Sequence, residues 1–368
     1  MANEIIPEHG VSAAIKNIVP VVFDEPPSVT HNPLAMTEPV KKPSNSAPAA
    51  GRTPLRVSVA RLLIVASVAG TLLRFTVRDG IQFLAPFFYG LPPAIVTAFA
   101  LLAWRLLRRN DSRWKSFAAV LVGVQCVLLV ATLNQRKASP PALQSMPVAF
   151  WNISSGVLGR EAISETIALW DADIVGLAES TFDDDPEASA RALAYWEERF
   201  PDYHAISFPG DMVLLSRLPL TVVDSGKLAA GSSFGVATFQ QDGRTVSVVM
   251  ADLLSRPHRD RGPALEALTR TVKQLPPGPV IVMGDMNTPP TSVHFDELRE
   301  LACNAFEERG NGFYHTWPMP LPVLPLDQVW VNDDVDVLEC RLGWTARSDH
   351  RPVLTTVRLK ALSERQSP

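Results

Sequence analysis

Three long apolar runs separated by arginines lie within residues 62–133: Leu62–Leu73 between Arg61 and Arg74, Ile81–Trp104, and Ser116–Leu133. Runs of this kind are hard to bury in one water-soluble domain, so they constrain the fold more than any other feature. A membrane-spanning helix needs about 20 mainly apolar residues. The third run nearly meets that length. The second meets it if Pro92-Pro93 is a kink, or its helix begins there, since proline is tolerated in a first turn. The first is short, and it spans if its arginines snorkel to the interface or else lies along it as a basic amphipathic helix. The expectation is two or three transmembrane helices in a membrane region 56–137, with candidate spans 57–77, 83–104 and 116–133.

Charge divides the chain at the same place. Residues 1–140 carry 15 Lys/Arg against 7 Asp/Glu, a net of +8, while residues 141–368 carry 19 against 31, a net of −12. The loop between the second and third runs, Arg105–Lys115, holds five positive charges in eleven residues. The positive-inside rule places it in the cytoplasm and everything after Leu133 on the other side. The reading is an integral plasma- or inner-membrane protein with an extracytoplasmic C-terminal domain. Residues 1–55, rich in Pro, Ser, Ala and Asn, read as a disordered tail. They lack the basic start and early apolar run of a secretory signal. Residues 138–146 read as a linker and 363–368 as a second tail.

The segment 147–362 is long enough for one domain with a real core. Short β-branched runs, such as Val148–Ile153, Ile174–Leu177, Met212–Leu215, Val280–Met283 and Gln328–Val331, alternate with amphipathic stretches near Arg160–Trp170, Glu187–Arg199, Pro263–Gln274 and Val293–Cys303. Phe234–Gln240 and Thr245–Leu253, joined across Gln241-Asp-Gly243, carry a hairpin signal. Hairpins among helices point to an α+β layered sandwich. With Cys126, Cys303 and Cys340 the only cysteines, a cysteine-built zinc site is excluded, and any metal is held by oxygen and nitrogen. Pairing of Cys303 with Cys340 stays open.

Polar groups interrupt or end apolar strands at Asn152, Glu179, Asp285 with Asn287, and Asp349-His350. Four oxygen-bearing strand ends of this kind suit a hard divalent cation in a cleft. In order and spacing, WNI at 151–153, ADIVGLAES at 172–180, LLSRLPL at 214–220, GDMN at 284–287, LDQVWV at 326–331 and SDHRP at 348–352 resemble the endonuclease/exonuclease/phosphatase superfamily, relatives of pancreatic deoxyribonuclease and neutral sphingomyelinase. The resemblance implies a four-layer α/β/β/α sandwich of two mainly antiparallel sheets, and a phosphodiesterase or nuclease using Mg2+ or Mn2+. By the same resemblance Glu179, with Asn152 and Asp349, holds the metal. Asp285 activates water, Asn287 holds water or phosphate, and His350, tuned by Asp327, contacts the phosphate as imidazolium.

One position departs from that pattern: Asp252 stands where the family usually has a histidine. A carboxylate repels phosphate oxygens. Three readings stay open: Asp252 recruits or tunes the cation, His258 in SRPHRDR supplies the lost charge, or the domain is catalytically weak and serves as a membrane-anchored binding or sensing module. A net of −12 lacks the general basic surface that nonspecific nucleic-acid binding usually needs. Nucleic acid, a phospholipid headgroup and a small phosphodiester all remain as substrates, with membrane lipid as the surrounding partner.

Overall fold

A computed structural model describes residues 53–135, 145–181 and 187–361. Residues 1–52 of the first expected tail, the second tail and most of the linker lie outside these residues, while Leu55, placed in the first tail above, opens a helix. Ser145 and Met146, placed in the linker above, already belong to a strand.

Four helices come first: α1 Leu55–Phe75, α2 Ala85–Gly90, α3 Pro93–Leu106 and α4 Ser112–Ala131. With 21 and 20 residues, α1 and α4 are long and apolar enough to cross a membrane. The run 57–77 is therefore longer as a helix than its apolar core suggested, because Leu55–Val59 extend it. The candidate span 83–104 is not one helix. It breaks at Leu91-Pro92, and α3 has only 14 residues, about 21 Å of rise. The cause is local: Pro92 has no backbone N–H and its ring opposes a continuing helix, while Pro93 fits the first turn of the next one. Gln125 Nε2 donates to Ser67 Oγ at 3.3 Å and Thr71 Oγ1 at 2.6 Å, and Ser67 Oγ donates to the Val96 carbonyl at 2.9 Å, so side-chain hydrogen bonds tie α1, α3 and α4 together.

The strands follow as β1 Leu133–Gln135, β2 Ser145–Asn152, β3 Ile174–Ala178, β4 His204–Phe208, β5 Met212–Ser216, β6 Thr221–Lys227 and β7 Ser233–Gln241. They continue as β8 Arg244–Asp252, β9 Val280–Asp285, β10 Cys303–Asn304, β11 Asn311–Phe313, β12 Asp327–Val331, β13 Val335–Leu342 and β14 Val353–Leu359. Among them lie α5 Arg160–Ala168, α6 Ala188–Arg199, α7 Gly262–Gln274 and α8 Ala305–Arg309. One six-stranded sheet has the order β10-β12-β9-β8-β7-β6 and the other β13-β14-β2-β3-β5-β4. All neighbours are antiparallel except β8 with β9 and β2 with β3.

A central core that includes Phe150, Met250, Met283 and Val329 lies between the sheets. Leu265, Leu268 and Val272 of α7 cover the outside of the first sheet, and Ile163 and Ile167 of α5 with Trp196 of α6 cover the second. Each fully buried aliphatic side chain contributes roughly 1.5–3 kcal/mol. The result is the α/β/β/α sandwich expected. The helix expected over Val293–Cys303 does not form. Two short 3-10 turns, Val293–Phe295 and Leu298–Glu300, take its place, and Cys303 enters a strand. The first turn is held from outside, because the Val293 N–H donates to Asp79 at 3.0 Å and Ser292 Oγ caps the turn. Cys303 and Cys340 are free thiols in different sheets.

Candidate active site

A parallel strand pair needs a crossover, and each sheet makes its single parallel pair that way, through α5 in one and α7 in the other. The carboxyl ends of the two pairs meet at one edge of the sandwich. Asn152 ends β2 opposite Ala178, and Glu179 follows β3. Asp252 ends β8 in register with Asp285 at the end of β9, and Asp327 opens β12 opposite Asp285. Gly284 fits the sheet without a side chain, since a Cβ there would stand 2.0 Å from the Ala251 carbonyl oxygen. The loop before β14 is pinned to the same edge: Ser348 Oγ donates to the Asn152 carbonyl at 2.8 Å, and Trp151 Nε1 donates to the His350 carbonyl at 2.9 Å.

Hydrogen bonds knit the polar groups into one cluster. Asn152 Nδ2 donates to Glu179 Oε1 and to Asp285 Oδ2, each at 3.0 Å, and Asn152 Oδ1 accepts from the Ser154 N–H at 2.9 Å. Asp285 Oδ1 accepts from the Asn287 N–H at 2.9 Å, while Asn287 Nδ2 donates to the Leu253 carbonyl at 2.7 Å. Glu179 and Asn287 both have φ of +46°, a left-handed backbone that non-glycine residues rarely adopt and that concentrates at functional sites. His350 Nδ1 lies 2.8 Å from Asp327 Oδ2 and 3.9 Å from Asp285 Oδ2. Trp317 Nε1 donates to Asp349 Oδ2 at 3.0 Å. Asp327 Oδ1 and Asp349 Oδ1 are buried without a hydrogen-bond partner among the described residues.

This crowding of acids sets the protonation states. Burial, then the neighbouring Asp327 charge, pushes Asp285 up to about 6, against the opposing pull of His350. For His350, burial favours the neutral ring, but the Asp327 and Asp285 carboxylates outweigh it and hold the imidazolium up to about 10. Burial, followed by the charges of Asp285 and Glu179, raises Asp252 well above the ordinary carboxylate range.

A cavity of about 440 Å³ opens over the cluster, and Glu179, Asp285, Asn287, Asp349 and His350 line it. Asn152 and Asp327 lie behind that wall, fully buried. Asp252 stands beside them, partly exposed. Two contributors were not legible in the sequence. Arg261 reaches the cavity from the entrance of α7, and its buried Nε and Nη1 have no hydrogen-bond partner among the described residues. Pro86, Tyr89 and Gly90 of α2 form another part of the wall. The SRPHRDR run was a signal for a cation here, yet His258 is exposed and outside the cavity while Arg261 is inside it. His315 lines a separate cavity with Arg74 and Thr291, and burial lowers it to about 4. Arg217 is engaged at the surface with Asp171 and Asp173.

A model of the endonuclease/exonuclease/phosphatase family matches residues 149–350. No curated protein matches the chain. Among solved structures, the chain is similar to an endonuclease/exonuclease/phosphatase family protein from Bacteroides thetaiotaomicron, with 16% identity over 60% of this chain and 100% of that one and a TM-score of 0.48. It is also similar to D. rerio TDP2 complexed with a single-strand DNA product, with 15% identity over 58% and 99% and a TM-score of 0.46. A mannosyl-6-phosphatase from Bacteroides thetaiotaomicron VPI-5482 gives 18% identity over 58% and 99%, with a TM-score of 0.44.

Proposed function

The chain belongs to the endonuclease/exonuclease/phosphatase family, and from that premise we propose a membrane-anchored phosphoester hydrolase that uses a divalent metal and activated water. The observation that carries the reading is the joint placement of Asp285 and an imidazolium His350 held by Asp327, in a cleft that Glu179 and Asp349 also line.

The donor set suits a hard cation. Glu179 is open to the cleft, Asp349 and Asp327 each keep a buried oxygen without a partner, and the cluster contains no sulfur. Glu179 and Asp349 would hold Mg2+ or Mn2+, while Asn152, expected as a third ligand, has its Oδ1 on the Ser154 N–H and instead holds Glu179 and Asp285 through Nδ2. Asp285, Asp327 and His350 also bring ligand atoms within 4.8 Å of one another. Nδ1 of His350 is taken up by Asp327 Oδ2 at 2.8 Å, so this trio reads as an acid–base unit. When bound, the metal supplies positive charge for the phosphoryl oxygens.

The remaining work falls to the chain. Asp285, fixed through both oxygens by Asn152 and Asn287, removes the proton of the attacking water, and its value of about 6 leaves it ionised at neutral pH. His350 donates through Nε2 to a phosphate oxygen while Asp327 holds its other nitrogen. Asn287 Oδ1 orients water, and Arg261 contributes the cation once assigned to His258. Asp252, pushed toward its neutral form by burial and by the Asp285 and Glu179 charges, lessens the repulsion that an ionised carboxylate would bring.

Anchoring is supported by α1 and α4. Arg56 pairs with Asp111 at 2.9 Å at the end of the bundle remote from the sandwich, where the basic loop Arg105–Lys115 also lies. The positive-inside rule then favours an extracytoplasmic sandwich. Hydrolysis of bis(4-nitrophenyl) phosphate by the full chain tests the proposal. Turnover that requires Mg2+ or Mn2+, stops with chelator and falls in Glu179→Gln supports it. Phosphate-ester binding without turnover would favour the binding-module reading that Asp252 invites.

A further inference from the structure

α2, which forms part of the cleft wall, follows directly on α1, a helix long and apolar enough to cross a membrane. Resting on the anchoring proposed above, we infer that the cleft takes a phosphoester carried on a membrane lipid, the headgroup entering beside α2 while the apolar tail stays in the bilayer.

Four observations carry this. Pro86 and Gly90, one turn apart on α2, face the same cavity as Glu179, Asp285 and His350. Phe83, just before α2, and Phe87 on it are 80% and 53% exposed, and Ile81 is 48% exposed, so large apolar side chains stand uncovered on the segment that carries the wall residues Pro86 and Gly90. A water-facing cleft has no use for such a rim, whereas an acyl or prenyl chain covers it.

The second observation is depth. A Cβ on Gly70 of α1 would come within 3.0 Å of Leu91 Cβ. Leu91 directly follows α2 and Gly70 lies five residues before the end of α1, so the C-terminal end of α2 packs about 7.5 Å below the top of that helix, the depth of an interface when α1 spans.

Third, the segment is fixed against the catalytic loops. Asp79 is 2% exposed and accepts from Tyr89 Oη at 2.8 Å, Ser292 Oγ at 2.6 Å and the Val293 N–H at 3.0 Å. Arg78 pairs with Asp296 at 2.6 Å. Asp79 and Arg78 therefore join the segment that leads into α2 to the loop following Asn287.

The fourth is charge. Arg261, beside Tyr89, keeps two buried guanidinium nitrogens, Nε and Nη1, free to meet an anion in the cleft, and Arg256 and Arg259 of the adjoining loop are exposed, which suits an anionic headgroup layer.

The test uses the full chain in phosphatidylcholine nanodiscs, with bis(4-nitrophenyl) phosphate as reporter and two competitors bearing the same headgroup. One is dioleoyl phosphatidate in the disc and the other is water-soluble dihexanoyl phosphatidate. The expected result is inhibition at least about tenfold stronger by the bilayer-borne lipid at matched total concentration, with that ratio collapsing in the Phe83→Ser/Phe87→Ser variant. Equal inhibition by both competitors, or a ratio unchanged in the variant, overturns the inference and leaves the hydrolase reading standing. Wild type without reporter turnover overturns the hydrolase reading itself, and failure of the chain to enter discs overturns the anchoring. Each of these last two outcomes removes the inference through its premise and is read separately from the competition.

Discussion

Asp252 and Asp285 are register partners at the carboxyl ends of two parallel strands, so two acids sit side by side where the strands open onto the cleft. Burial and the Asp285 and Glu179 charges drive Asp252 toward its protonated form. An isosteric neutral amide mimics that form. Asp252→Asn is expected to keep kcat/KM for bis(4-nitrophenyl) phosphate within about threefold of wild type, a change of under 1 kcal/mol. A loss of about a hundredfold would show that Asp252 acts as an ionised ligand.

The pH profile follows from Asp285 and His350. Asp285 works deprotonated, so the rate rises as pH passes about 6; His350 works protonated, so the rate falls as pH passes about 10. Removing the Asp327 charge withdraws the chief support of the imidazolium. In Asp327→Asn the alkaline limb moves to lower pH, and a profile of kcat/KM against pH measures the shift.

Asp285→Asn removes the base and also one of the two acceptors that Asn152 and Asn287 use. A fall in kcat of about 10²–10⁴-fold is expected, with little change in KM. Glu179→Gln is expected instead to raise the Mg2+ concentration needed for half-maximal rate, read from a metal titration.

Asp79 joins the segment after α1 to the loop that follows the catalytic Asp285. Asp79→Ala leaves three donors in a buried setting without their acceptor. Each such group costs about 1–3 kcal/mol, so a destabilisation of several kcal/mol is expected as a lower Tm of the purified protein in detergent.

Much of the site was legible because its chemistry interrupts apolar strands. Asn152, Glu179 and Asp285 each follow or end a buried run, and His350 stands just before one, where a polar group has few structural reasons to exist. The fold class was legible for the same reason: alternating β-branched runs, a hairpin across Asp242-Gly243, and amphipathic stretches with one buried face. Other features depend on contacts far apart in the chain. The turns over Val293–Glu300 sit where a helix was expected, and their start is held by Asp79, more than 200 residues earlier, which accepts the Val293 N–H. Strand β6 is almost wholly exposed and β4 is an edge strand, so neither shows a buried alternation. Arg261 resembles its exposed neighbours Arg256 and Arg259 in sequence, and only packing at the entrance of α7 separates it from them. The α2 wall was invisible for a similar reason, since nothing local in APFFYG indicates a partner near Glu179 or His350.

The measurement that bears most directly on the central claim is hydrolysis in heavy-oxygen water, with Mg2+ and a phosphodiester whose two products are analysed by mass. The account predicts metal-dependent turnover in which one solvent oxygen enters the phosphate-bearing product, and loss of that turnover in Asp285→Asn. Label in the alcohol product, or turnover that survives both metal removal and Asp285→Asn, would contradict it.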